Sequence, residues 1–362
     1  DAFLDAGHEV VVLTARSSYV ATTENDTSSG GAEVHYVPTL GERSRLLSWG
    51  LFLIQAWLRV PFMGWDRCVV LTDPPFLASL AVLLRPCWGR HVRMFWWTMD
   101  LYPEILVSSK RLNEESLFHR FLRQVNNQII RRMGGYIFLG DCQLERFQTY
   151  PAWKNQDYIL VPPWDRRPID RVARDENRFL DAFALKDKKV ALYAGNLGEG
   201  HTFAPLVRAA EALRDAGRDD WVLMFVIRGS KKALLVDAAQ DLPAIVITDY
   251  QPVEMTSELL WSAHVHLITI NAESKGLVVP SKLYGVLQTE APVLFVGPDD
   301  ADTAREIRHY HAGESLEEDC DGTDIVAALD RLHERCVVGD PDRLPPDTTG
   351  PTQIVDFVTR AQ

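Results

Sequence analysis

The sequence predicts an α/β protein made of two consecutive doubly wound parallel-sheet units. Short β-branched and apolar runs alternate with helical patterns along the chain, and the alternation restarts after a proline-rich break at Val161-Pro-Pro-Trp-Asp-Arg-Arg-Pro168. At 362 residues the chain also exceeds what one core comfortably holds.

Element by element, the stretch Asp1 to Thr14 reads as the end of a helix, a glycine cap at Gly7 and then a strand. A doubly wound unit ordinarily opens one strand earlier, so the first strand and its loop are expected to be missing here. Cys68-Val-Val-Leu-Thr72, Val92-Arg-Met-Phe-Trp-Trp97 and Tyr136-Ile-Phe-Leu139 read as strands, with helical patterns at Leu77–Leu84 and Glu115–Arg132. Beyond the break, strands are expected at 189–194, 222–227, 244–248, 265–269 and 293–296, with a helix at 203–216 and a terminal helix at 352–361. The expected division is an N-terminal unit over 1–165, a second unit over 166–345 and a tail over 346–362 that returns to the first.

Composition narrows the class. With 46% hydrophobic and 24% charged residues the chain is globular. Its five cysteines are widely spaced without a Cys-x-x-Cys pair, which argues against a disulfide framework or structural zinc and for a reducing compartment. The net charge is -12, yet residues 43–93 hold seven arginines against two aspartates. This distribution argues against general nucleic-acid binding and admits contact with an anionic surface. The apolar run Leu46 to Val60 is interrupted by Gln55 and Arg59 and is too short to cross a bilayer.

Parallel sheets hold ligands at the carboxyl ends of their strands. Asp73 and Asp100 follow such ends in the first unit. In the second, Gly195-Asn-Leu-Gly-Glu-Gly200 follows a strand and precedes a helix, where glycine lets the backbone approach phosphate closely. Its spacing is not the Gly-x-Gly-x-x-Gly of dinucleotide sites, so a nicotinamide cofactor is disfavoured. Arg228, Lys231 and Lys232 follow the next strand. Gly276-Leu-Val-Val-Pro-Ser-Lys282 reads as a loop feeding a capped helix, with Pro280 at its first turn and the Ser281 hydroxyl and Lys282 ammonium beside unpaired N–H groups. The bland reading is a capped surface helix.

The ordered set Leu192-Tyr-Ala-Gly-Asn-Leu-Gly198, Val226-Ile-Arg-Gly229, Asp249-Tyr-Gln-Pro252, Val279-Pro-Ser-Lys-Leu-Tyr-Gly285 and Pro292-Val-Leu-Phe295 resembles the donor domain of family-4 glycosyltransferases of the GT-B fold. Thr72-Asp-Pro-Pro75 and Trp97-Thr-Met-Asp-Leu-Tyr-Pro-Glu104 resemble the subgroup building O-antigen, capsule and colanic-acid-type polysaccharides. The resemblance implies retaining transfer of a sugar from a nucleotide diphosphate sugar, UDP- or GDP-linked, in a cleft between two Rossmann-like domains, without an essential metal or other cofactor. It implies donor binding by Gly195, Asn196, Gly198, Arg228, Lys231, Lys232, Gly276, Leu277, Val278, Ser281 and Lys282. Asp100 is the candidate catalytic residue, orienting or deprotonating the acceptor hydroxyl, and reads equally as a helix N-cap. Asp73 and Glu104 are further acceptor-side candidates, Asp73 also fitting simple turn chemistry.

The acceptor implied is a polyprenyl-diphosphate-linked sugar at the inner face of the plasma membrane, with the protein cytoplasmic or peripheral there. Leu46, Leu47, Trp49, Leu51, Phe52, Leu53, Ile54, Trp57 and Leu58, among Arg43, Arg45 and Arg59 and followed by Arg85, Trp88 and Arg90, suit an anionic interface or packing on the sheet. Departures from the family pattern are also plain. Where many relatives carry two glutamates eight apart, this chain has Leu277 and Gly285, or Glu273 and Ser281 in a shifted register; Glu290 replaces a usual glycine. These departures keep two alternatives open, a sugar-nucleotide epimerase of the same fold and a non-catalytic nucleotide-binding homologue.

Overall fold

The computed structural model describes residues 1–15, 31–38, 45–84, 92–164, 168–338 and 349–360. Arg43, Arg85, Trp88 and Arg90, from the basic stretch, lie outside them, as do the side chains of Arg45 and Leu46. Twelve strands occur among the described residues. They are β1 (Val11–Ala15), β2 (Glu33–Val37), β3 (Arg67–Val70), β4 (Arg93–Trp97), β5 (Gly135–Phe138), β6 (Tyr158–Leu160), β7 (Lys189–Asn196), β8 (Trp221–Arg228), β9 (Ile245–Thr248), β10 (Val265–Thr269), β11 (Val293–Val296) and β12 (Gly313–Leu316).

All the pairings are parallel. The larger sheet has the order β12-β11-β10-β7-β8-β9, the smaller β3-β4-β5-β6, and β1-β2 form a third. Because crossover helices cover both faces of a parallel sheet, its strands are apolar throughout. β8 accordingly buries every residue from Trp221 to Ile227. One face of the large sheet packs under the helices Ala204–Asp215 and Gly322–Val338.

The smaller sheet packs one face against Phe52 and Ala56 of the helix Arg45–Arg59, Ile129 and Ile130 of Leu117–Ile130, and Leu144 and Phe147 of Asp141–Gln148. Its other face receives Ile354 and Val358 of the helix Gly350–Arg360 beside Phe95, Ile137 and Val161. β1 and β3 share no ladder; between their facing edges lies a cavity of about 630 Å³ lined by Val10, Val11, Leu13 and residues 67–70. The Arg45–Arg59 helix turns Leu47, Leu51, Ile54 and Leu58 outward, in one row at helical spacing, and Phe62 beyond its end is 87% exposed.

Candidate functional site

In the large sheet the chain runs outward from β7 through β8 to β9, then returns to the other side of β7 for β10, β11 and β12. The strand order therefore reverses between β7 and β10, and such a reversal opens a crevice at the strands' carboxyl ends. The loops that follow these two strands, Leu197 to Gly200 and Ile270 to Leu277, wall it. They are joined: the Asn271 amide donates to the carbonyl of Gly200 at 3.0 Å, and its side-chain amide donates to that of Glu199 at 2.7 Å.

The glycines here have separate reasons. Gly195 has φ +142°. A Cβ on Gly229, whose φ is +125°, would stand 2.6 Å from the Leu197 carbonyl oxygen, so β8 can approach the loop only with glycine there. Lys231 Nζ donates to the carbonyls of Glu199 at 3.0 Å and His201 at 2.5 Å, pinning the loop rather than standing open to a ligand. Lys232 pairs with Asp249 at 2.5 Å, and the Arg228 guanidinium lies 4.5 Å from the Tyr250 ring centroid.

Lys282 is the unusual member. Its Nζ is out of contact with water, has no hydrogen-bond partner among the described residues and sits 3.4 Å from the Tyr193 ring centroid. Its alkyl chain passes beneath Gly195, where a Cβ would meet the lysine Cδ at 3.5 Å. Burial holds the ammonium well below the usual lysine range. Beside it, burial and then the Lys282 charge push His201 down to about 3, leaving a neutral ring whose Nδ1 lies 2.5 Å from the Thr269 carbonyl. A buried amine over an aromatic face gains its charge only at a cost, and an anion above Gly195 would favour the ammonium form.

The expectation of a capped helix at Ser281 is corrected. The helix Lys282–Val286 has five residues, begins after Ser281 and receives no bond from its side chain. Pro280 stands before the helix, its carbonyl accepting from the amide of Leu283 at 3.2 Å. So short a helix carries little macrodipole.

On the other side of the cleft a cavity of about 770 Å³ is lined by Glu104, Arg120, Arg123 and Arg146 together with Glu273 and Leu277 from the loop after β10. Glu104 Oε1 accepts from Tyr150 at 2.5 Å and from Arg123 at 2.9 Å, while Oε2 is buried without a partner among the described residues. Burial raises its pKa against both bonds. Asp100 follows β4, its amide donating to Thr72 Oγ1 at 3.1 Å, and lines a smaller recess with Trp96, Tyr102 and Asn126. It is not the N-cap of the helix Glu104–Ser108, whose capping position is Pro103. Asp73 is exposed beyond β3. The structure thus groups Gly195, Asn196, Gly198 and Lys282 at the reversal point and leaves Asp100 outside the lining of the large cavity.

Residues that sequence reading did not single out join the two sides. Arg111 pairs with Glu199 at 2.9 Å across the cleft. Arg146 donates to the carbonyls of Lys275 and Glu273 at 3.0 and 3.3 Å. Asp302 accepts from the amide of Cys142 at 3.2 Å. Gly276, at φ +71°, packs on the carbonyl of Cys142. Leu277, expected to touch the donor, is 1% exposed and belongs to the apolar cluster of the smaller sheet. No local pattern signals these contacts, because their partners lie 88 or more residues away.

The whole-chain arrangement matches WaaG, a glycosyltransferase involved in lipopolysaccharide biosynthesis, with a TM-score of 0.66 at 15% identity over 98% of this chain and 92% of that one. The chain has the GT-B fold. Anabaena HepE, solved in complex with UDP-glucose, gives a TM-score of 0.68 at 9% identity over 98% of this chain and all of that one. In sequence the chain is similar to the probable glycosyltransferase WbjE of Pseudomonas aeruginosa, 24% identical over 81% of this chain and 73% of the relative. No protein-family model matches it. For this GT-B chain the strand-order reversal places the crevice of the larger sheet opposite the cavity of the smaller.

Proposed function

We propose that the protein is a retaining glycosyltransferase of the family-4 type, moving a sugar from a UDP- or GDP-linked donor to a lipid-linked saccharide in cell-surface polysaccharide assembly. The observation that carries this reading is Lys282, a buried side-chain amine with no hydrogen-bond partner among the described residues, at the reversal point. The likeness to WbjE, whose name is that of a probable glycosyltransferase, and the fold shared with WaaG and HepE support the class.

In this mechanism the bond between the anomeric carbon and the diphosphate oxygen breaks and its electron pair stays on the diphosphate. That developing charge needs preorganised cations and N–H donors, which Lys282 and the Gly195–Gly198 backbone supply without a metal. The acceptor oxygen bonds to the anomeric carbon, and its proton passes to the leaving phosphate or to an acceptor-side carboxylate. Asp100 is the carboxylate we assign to it, with Glu104 and Asp73 nearby in sequence.

The lipid-linked acceptor and a peripheral position at the inner membrane face draw support from the outward row Leu47, Leu51, Ile54 and Leu58, continued by Phe62. No acidic residue falls between Arg43 and Trp65, within a chain of net charge -12. Among the described residues no helix is long and apolar enough to cross a membrane.

A thermal-shift panel of UDP, GDP, CDP, ADP and NAD tests the donor site, because a ligand that binds only the folded state raises its melting temperature. One nucleoside diphosphate is expected to stabilise the protein, less so in Lys282→Ala. A shift with NAD alone, or with none of them, overturns the reading. Stereochemistry is checked by the anomeric configuration of the product.

A further inference from the structure

The loop Asn271 to Leu277 starts in the larger sheet and ends inside the opposite half of the protein. At its start Asn271 is tied to Gly200 and Glu199, and its side chain accepts from the amide of Ser274 at 2.9 Å. At its end Leu277 is buried in the apolar cluster that also holds Leu101, Phe138, Leu144 and Phe147. Arg146, on the same helix as Leu144 and Phe147, bonds the two intervening carbonyls of Glu273 and Lys275. Both acceptors are main-chain atoms, so the arginine fixes the backbone path of the loop. That path leads within a few residues to Ser281 and Lys282.

We propose that Arg146 is a positioning residue for the nucleotide sugar: from the acceptor half it sets the donor-side loop, so that tight donor binding requires the two halves to be together. The proposal rests on the reversal-point crevice being a nucleotide-sugar site. Arg146 acts through the loop and is assigned no contact with the reacting atoms. Without its two bonds the loop samples more conformations, and nucleotide binding must supply the free energy of ordering it. A purely adhesive contact would alter stability while leaving the affinity of the folded protein unchanged.

The test is calorimetric titration of UDP and GDP into the wild type, Arg146→Ala and Arg146→Lys, with small-angle X-ray scattering of each free protein. Arg146→Ala is expected to weaken nucleotide binding at least tenfold and to enlarge the radius of gyration of the free protein. Arg146→Lys, able to bond one carbonyl, is expected to recover part of both. Wild-type affinity in Arg146→Ala overturns the proposal, as does an unchanged scattering profile. A wild type that binds neither nucleotide, beside an expanded Arg146→Ala, overturns the donor reading and leaves the arginine only an adhesive role.

Discussion

Gly276, in the loop after β10, lies against the carbonyl of Cys142 in the opposite half so closely that a Cβ would overlap the oxygen. In the sequence Gly276 opens a loop that feeds a helix start, and its φ of +71° together with this contact gives the glycine its structural reason. Left-handed backbone costs an L-residue about 1–2 kcal/mol and overpacking adds roughly 1–3 kcal/mol. Gly276→Ala is therefore expected to lower the melting temperature by several degrees. If the strain is relieved by parting the two halves, X-ray scattering will show a larger particle. A variant matching the wild type in both would show that the contact constrains neither.

Lys282 predicts a pH dependence with a definite sign. In the unfolded chain a lysine stays protonated up to about pH 10.4, whereas burial holds Lys282 well below that when folded. Between its folded and unfolded pKa the unfolded state binds more protons, so stability rises with pH across that window and levels off above it. Lys282→Met should raise the melting temperature at neutral pH and flatten this rise. A bound diphosphate favours the charged lysine, so donor binding is expected to take up a proton. Titrations in buffers of different ionisation enthalpy measure it, and equal heats in all of them would contradict the assignment.

The inner strands of the larger sheet were legible because β8, β10 and β11 are buried almost throughout and each reads as one apolar run. Val265–Thr269 and Val293–Val296 match the sequence reading, and β7 and β8 extend it by one or two residues. The strands that escaped, β2, β6 and β12, contain few fully buried residues, and Gly-Glu-Ser-Leu in β12 has no periodic signal. At the site, Gly195, Gly198 and Lys282 fell out of the strand-loop pattern. What the pattern could not carry was side-chain direction. Leu277 points into the other half, Lys231 turns back onto its own loop, and Lys282 hides its charge over Tyr193.

The sorting of the helix Arg45–Arg59 is the same lesson with a measurable consequence. Phe52 and Ala56 pack inward while Leu47, Leu51, Ile54 and Leu58 form the outward row. Leu47→Ser, Ile54→Ser and Leu58→Ser together leave the core untouched, so the change in stability should stay small. Cosedimentation with anionic vesicles at low salt is expected to fall at least tenfold. Equal sedimentation of wild type and variant would remove this row as a membrane contact, and concentration-dependent self-association would point to a second copy instead.

Asp302 caps a helix that belongs to the other half. The helix Asp141–Gln148 has Gly140 at its capping position, which has no side chain to accept its first amides, and a Cβ there would overlap the Asp302 carboxylate. That carboxylate takes the amide of Cys142 at 3.3 and 3.2 Å on its two oxygens, with Arg305 3.6 Å away. Losing a cap typically costs about 0.5–2 kcal/mol, so Asp302→Ala should destabilise by about 1 kcal/mol and speed amide exchange at Cys142. Burial raises the Asp302 pKa, so its charge is held at a greater cost than in water. Asp302→Asn accepts the same amide without that charge and is expected to keep near-wild-type stability at neutral pH. An alanine variant with unchanged exchange at Cys142 would mean that the helix start holds without its cross-cleft partner.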